Sequence, residues 1–127
     1  MGTAESSPRV EAIERELHGL ADPEVAGFLA RFFKTGPGEY GEGDRFLGIR
    51  VPVLRKLARK HSSLELSGCR ELLVSPFHEA RLLALLILVR AYDRGDEETR
   101  DAICRLYLDH TAYVNNWDLV DTSAEHI

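Results

Sequence analysis

The residues from Leu82 to Val89 form an unbroken apolar run of eight. This run lies within a segment that is predicted to form one helix, which begins near Phe77 and is ended by Gly95. A helix that is apolar on nearly every side is buried, so this segment is predicted to be the central element of the core. The run is far shorter than the roughly 20 apolar residues that cross a bilayer, and the N-terminus lacks a basic-then-apolar leader. The sequence therefore predicts a soluble, cytoplasmic protein without membrane association.

Helical spacing of apolar residues recurs along the rest of the chain, and proline, aspartate or asparagine stands at most of the predicted helix starts. The glycine-rich stretch from Gly36 to Asp44 is predicted to be a loop. The predicted starts are Pro8, Pro23 with Asp22 as its cap, Val51-Pro52, a cap at Ser67 or a neighbour, Phe77-His78, Asp96-Glu97-Glu98, and a cap at Asn115 or Asn116.

No strand-like alternation competes with this pattern, so the predicted fold class is all-α. The length of 127 residues and the hydrophobic content of 44% fit one domain, placed at residues 8–127 after a disordered N-terminus at residues 1–7. Helices that come in pairs with short connections are typical of an α-α superhelix, which is a solenoid of helical hairpins. A compact, irregular helical bundle is the alternative.

The C-terminal end of the sequence is unusual for a solenoid. The chain stops at Ile127, two or three turns into the predicted seventh helix, without a glycine cap or a polar terminus. This pattern predicts a solenoid that is truncated after its N-terminal half. Because an uncapped solenoid end exposes apolar surface, self-association through this end is expected.

The charge of the chain is unevenly distributed. A net charge of −5 taken alone argues against a polyanionic partner such as nucleic acid. However, the third predicted helix and the residues before it carry six basic residues and no acidic one, which predicts a basic patch. A solvated helix face is the alternative. The six are Arg45, Arg50, Arg55, Lys56, Arg59 and Lys60.

Cysteine and histidine residues do not form a recognisable metal or nucleophile pattern. Cys69 and Cys104 are far apart and are predicted to be small buried hydrophobes. The five histidines are scattered and are interpreted as structural or solvated. No metal and no cofactor are therefore expected. Arg81 is interpreted as an ordinary charge on the surface of its helix.

Trp117 and Asp121 are four residues apart at the predicted start of the seventh helix, which places them on one face roughly 5–6 Å apart at Cβ. An electron-rich ring beside a carboxylate suits a bound group that is cationic or becomes cationic during reaction. The alternative is a core anchor beside a surface charge. Asp118 lies between them and is interpreted as a first-turn residue that complements the helix dipole.

Three segments together resemble the DNA alkylation repair enzyme family, the AlkD-type alkylpurine DNA glycosylases with HEAT-like repeats. The first is Tyr40–Pro52 with Arg55 following, which contains Phe-Leu-Gly-Ile-x-x-Pro. The second is Phe77-His78-Glu79-Ala80-Arg81, and the third is Asn116-Trp117-Asp118-Leu119-Val120-Asp121. The resemblance runs from about Val25 to the last residue and covers the N-terminal half of such a protein.

The resemblance implies a superhelix of HEAT-like hairpins that hydrolyses the N-glycosidic bond of N3- or N7-alkylated purines in double-stranded DNA. By position, Trp117 and Asp121 would flank the deoxyribose of the damaged nucleotide, and Arg50 and Val51 would lie along the DNA backbone. A concave surface lined by arginines could then hold phosphates while the lesion stays stacked. These arginines are Arg45, Arg50, Arg55 and Arg59.

The sequence also departs from the family pattern. Arg50-Val51 replaces a pair that is polar at both positions in some members, and an aromatic residue and an arginine from later repeats have no counterpart. Two other functions therefore stay open. One is DNA binding without catalysis, and the other is a helical scaffold for protein interactions, which suits the negative net charge.

Overall fold

The computed structural model describes residues 8–32 and 45–109, with the side chains of residues 30–32 excepted, and these ranges contain six helices. This part of the chain is all-α, as predicted. The superhelical arrangement remains a prediction, and the seventh helix, the 36–44 loop and the N-terminal residues 1–7 lie outside the described residues. The helices are α1 (Pro8–Gly19), α2 (Pro23–Phe32), α3 (Val51–Lys60), α4 (Leu66–Leu73), α5 (His78–Arg94) and α6 (Glu97–Asp109).

Helix α5 is the centre of the core, as its apolar run predicts. It packs against α1, α3, α4 and α6, and its residues 78–88 are all buried. Complete burial of a leucine or isoleucine side chain stabilises the fold by about 1.5–3 kcal/mol, and Leu83, Leu85 and Ile87 are completely buried. Gly95 follows the last residue of α5, as predicted. Within the described ranges, no helix combines the length and apolarity needed to span a bilayer.

Aspartate side chains cap two of the predicted helix starts. Asp22 Oδ1 accepts hydrogen bonds from the backbone N–H groups of Glu24 (3.0 Å) and Val25 (3.4 Å). Asp96 Oδ1 accepts one from Thr99 N–H at 2.8 Å, and this bond lowers the pKa of the Asp96 carboxyl. All three bonds satisfy N–H groups that a helix start leaves unpaired.

The cap predicted at Ser67 or a neighbour is wrong. Helix α4 begins at Leu66, and Glu65, the residue before it, makes no side-chain capping bond. Ser67 therefore lies inside the first turn, where its hydroxyl is past the capping position.

Polar contacts join α1 to the end of α3. The Glu16 carboxylate accepts a hydrogen bond from Lys60 Nζ at 2.6 Å and lies 2.9 Å from His61 Nε2. Near the start of α1, Arg9 donates to the carbonyl oxygen (3.2 Å) and the hydroxyl oxygen (2.8 Å) of Ser63, which lies in the turn after α3. Helix α1 is therefore tied to the last residue of α3 and to the turn that follows it.

Candidate functional site

Residues 45–50, which we call the anchored segment, lead without helix or strand structure into the first turn of α3. At its start, Arg45 and Phe77 form an isolated β-bridge, and His78 N–H donates to the Arg45 carbonyl oxygen at 2.7 Å. In its middle, the Leu47 carbonyl oxygen accepts a hydrogen bond from Asp22 N–H at 2.8 Å. The segment is thus held between the starts of α5 and α2.

The buried carboxylate of Glu79 binds the backbone of the anchored segment. One oxygen accepts the N–H of Leu47 at 2.8 Å, and the other accepts those of Gly48 at 2.9 Å and Ile49 at 3.2 Å. Glu79 is only 1% exposed, and a buried carboxylate without such donors would be costly. The carboxylate therefore fixes three consecutive residues immediately before Arg50.

Gly48 allows the start of α2 to approach the anchored segment closely. Its φ of +90° lies in a region that L side chains rarely adopt. A Cβ atom at this position would collide with the carbonyl oxygen of Asp22 and lie 2.8 Å from the amide nitrogen of Ala26. The segment can take this path only because residue 48 has no side chain.

Arg81 is buried, so its interpretation as a surface charge is wrong. It is 6% exposed, and its Nη1 donates to the Ser75 carbonyl oxygen at 2.8 Å. The first turns of α5 are covered on all sides, and the guanidinium folds back to the turn that precedes the helix. The Ser75 hydroxyl in that turn accepts Phe77 N–H at 3.1 Å. Arg81 thus supports the turn that carries the bridge to Arg45.

Helix α3 presents exposed arginine side chains. It buries Leu54, Leu57 and Ala58. Val51, Arg55 and Arg59 follow each other at intervals of four residues and therefore share one face of the helix. Val51 is half-buried, while both arginines are exposed, as is Arg50 immediately before the helix. We call Arg50, Val51, Arg55 and Arg59 the α3 basic face.

The ion pairs of the described residues leave out the arginines of this face. Within the part of the chain that the structure describes, the ion pairs involve other residues, and Arg50, Arg55 and Arg59 take part in none. Lys60 lies about 100° further round the helix than Arg59 and pairs with Glu16 instead. The α3 basic face therefore carries three guanidinium charges that form no ion pair with a carboxylate of the described residues.

Helical spacing places Val51, Arg55 and Arg59, three of the five predicted DNA-binding residues, on one side of α3, and Arg50 lies immediately before the helix. The fifth, Arg45, is exposed at the opposite end of the anchored segment. Trp117 and Asp121, the predicted catalytic residues, lie outside the described residues, and their proximity remains a prediction. Sequence reasoning missed Glu79, because an acidic residue in the first turn of a helix is usual and does not by itself indicate burial.

A cavity of about 780 Å³ lies beside the anchored segment, between α2, α3 and α5. Its wall is mainly apolar. Phe46 and His78 both line it, and their ring centroids lie 4.7 Å apart with an angle of 34° between the ring planes. Arg50 and Glu24 also line it. Arg50 is therefore part of the α3 basic face and also lines the cavity.

Neither cysteine lies on the α3 basic face. Burial raises the pKa of the Cys69 thiol to about 12, so this residue stays protonated and unreactive, as expected of a small core hydrophobe. Cys104 is only half-buried, which differs from its predicted burial. Among the described residues there is no group of three or more His, Cys, Asp or Glu that could hold a metal ion.

The sequence matches a protein family over a range that includes residues outside the described ones. The sequence profile of a family described as DNA alkylation repair enzyme matches residues 13–127. The matched range includes the anchored segment, the α3 basic face and the positions of Trp117 and Asp121. Comparison with curated proteins and with solved structures finds no significant match. Since the profile covers most of the chain, this protein belongs to the DNA alkylation repair enzyme family.

Proposed function

We propose that the protein is a DNA glycosylase that binds duplex DNA and hydrolyses the N-glycosidic bond of cationic N3- or N7-alkylated purines. Membership of a DNA alkylation repair family implies that DNA is a partner. The observation that carries the proposal is the α3 basic face, whose exposed arginines follow a backbone segment held by a buried carboxylate. Such a face suits a ligand with regularly spaced negative charges.

The DNA-binding step rests on the chemistry of the arginines. A guanidinium donates several hydrogen bonds in a fixed planar geometry that matches phosphate oxygens. Arg55 and Arg59 lie one helical turn apart, about 6 Å along the α3 axis, which is close to the spacing of successive phosphates. Arg50 would add a contact at the helix start, and Arg45 one at the far end of the anchored segment. Phosphate binding of this kind tolerates the negative net charge because it depends on local fields.

The chemical step is assigned to Asp121 and Trp117. An alkylated purine is a cation, so its bond to the sugar is already weakened and the base can leave as a neutral molecule. As this bond breaks, positive charge grows on the deoxyribose, and a carboxylate at Asp121 stabilises that state more than the starting one. Water then adds to the sugar carbon to form its C–O bond and releases one proton to the solvent. The Trp117 ring supplies a cation–π surface worth about 0.5–2 kcal/mol.

A second carboxylic acid is not required by this scheme. Glycosidases that cleave neutral substrates protonate the leaving group, and a cationic base makes that proton dispensable. The catalytic requirement therefore falls on one carboxylate.

Base release from duplex DNA treated with a methylating agent tests the proposal. The protein should liberate N7- or N3-methylpurine, and Asp121→Asn should remove most of this activity. Asp118→Asn is the matched control, since it removes a neighbouring carboxylate assigned to the helix dipole and should retain activity. Activity that survives Asp121→Asn would contradict the assignment of Asp121.

DNA binding without base release is the second candidate. It is favoured by the composition of the α3 basic face, which offers arginine and valine side chains and no acid, base or nucleophile. Salt-dependent binding to duplex DNA with no release of methylated purine would select this function over the glycosylase.

A further inference from the structure

We propose that Glu79 is a positioning residue of the DNA-binding site, which fixes the anchored segment so that Arg50 and the first turn of α3 are already placed for phosphate binding. This inference rests on the proposed DNA-binding function of the α3 basic face. Glu79 itself is buried and does not touch DNA in this scheme. Its action passes through the backbone of residues 47–49.

The geometry of the three hydrogen bonds requires a carboxylate. Leu47 N–H donates to Oε1, while Gly48 and Ile49 N–H both donate to Oε2. An ionised carboxylate has only acceptor sites, so it satisfies all three donors at once. A carboxamide of the same size has one oxygen and one NH₂ group. It must therefore lose either the Leu47 bond or the Gly48 and Ile49 pair.

Glu79 ties the anchored segment to the most deeply buried element of the fold. It lies in the first turn of α5, and the residues that it binds are 30 to 32 positions earlier in the sequence. A segment that is already ordered pays less conformational entropy when it binds a partner. The carboxylate therefore raises affinity by ordering the site before DNA arrives.

The backbone transmits the position of residues 47–49 directly to α3. Ile49 is bonded to Arg50, and the Arg50 carbonyl oxygen accepts the N–H groups of Val53 at 3.0 Å and Leu54 at 3.2 Å. These are the first hydrogen bonds of the helix. A shift at Ile49 consequently moves both the Arg50 side chain and the turn that carries Val51.

Replacement of Glu79 by glutamine is the direct test, measured as affinity for a short unmodified DNA duplex between about 50 and 200 mM salt. We expect Glu79→Gln to weaken binding about tenfold at low salt and to reduce the slope of log affinity against log salt by about one, the change produced by one lost phosphate contact. A general loss of stability would lower the amount of active protein and leave this slope unchanged.

A matched control separates positioning from stability. Ile103→Val removes one methylene from a fully buried side chain on α6, away from the anchored segment. It should destabilise the fold and keep the wild-type slope. If Arg55→Ala reduces the slope and Glu79→Gln does not, the role of Glu79 is overturned while the DNA-binding proposal stands. If the wild-type protein does not bind the duplex, the proposed function itself fails.

Amide hydrogen exchange on the wild-type protein keeps the inference testable should Glu79→Gln not fold. The amides of Leu47, Gly48 and Ile49 should be protected in the free protein, and adding the DNA duplex should change their exchange less than tenfold. The positioning role of Glu79 would be overturned if these amides exchanged at the rate of unstructured amides in the free protein and became protected only after DNA is added.

Discussion

The carbonyl oxygen of Asp22 occupies the space that a Cβ atom on Gly48 would need. The same aspartate caps α2 through its side chain and donates its backbone N–H to Leu47. One residue therefore starts α2 and also contacts the segment that leads into α3. This arrangement makes residue 48 sensitive to any side chain.

Gly48→Ala should destabilise the protein by at least about 2 kcal/mol, because it combines an unfavourable φ with a collision against backbone atoms. Urea unfolding measures this loss. Gly19→Ala is the control, since a Cβ atom there meets nothing within 4 Å, and it should change stability by no more than about 1 kcal/mol. Equal effects of the two substitutions would contradict the close approach of α2.

The contact of Glu16 with Lys60 and His61 should make stability depend on pH. The hydrogen bond from Lys60, followed by that from His61, lowers the Glu16 pKa from its ordinary value of 4.5. A lowered folded-state pKa gives stability that is present above pH 4.5 and is lost as the pH falls through the lowered value. Since Lys60 is largely exposed, the contribution should be only about 0.2–1 kcal/mol.

Urea unfolding of Glu16→Gln at several pH values measures this contribution. The variant should be less stable than the wild type at pH 7, and the difference should vanish under acidic conditions. Glu14→Gln on the same helix should show no such convergence. A difference between Glu16→Gln and wild type that stays constant below pH 4.5 would contradict the ion pair.

The two cysteines should react at very different rates with a thiol reagent. Cys69 is 1% exposed and its raised pKa disfavours the thiolate, so it should react only when the protein unfolds. Cys104 is half-buried and should react first in the native protein. Thiol counting before and after denaturation, with Cys104→Ala to assign the fast phase, checks this. Rapid native-state labelling of Cys69 would show that the α4 contact with α5 opens readily.

Local sequence signals predicted the helices well. The unbroken apolar run from Leu82 identified the central helix, because a helix with no polar face has to be surrounded. Asp22 and Asp96 marked true helix starts, because capping depends on residues only two or three positions apart. Val51-Pro52 marked another, because proline fits the first turn of a helix. Ser67 failed as a cap because a serine can lie one turn into a helix as easily as before it.

The candidate site was harder to predict, because its framework depends on contacts between distant parts of the chain. Arg81 and Glu79 look like ordinary helix-surface charges in the sequence. Their burial follows from the packing of α5 against α3 and α4, and the partners of Glu79 are 30 to 32 residues away. By contrast, the spacing of Arg55 and Arg59 follows from helix geometry alone, so the exposed basic face could be predicted.

The central claim is that the arginines of the α3 basic face bind DNA phosphates, and the salt dependence of duplex binding tests it most directly. Arg55→Ala and Arg59→Ala should each reduce the slope of log affinity against log salt by about 0.9. Lys60→Ala removes the same charge from the flank that pairs with Glu16 and should leave the slope unchanged. Phosphate binding by this face would be contradicted if Lys60→Ala reduced the slope as much as Arg55→Ala does, or if binding did not depend on salt.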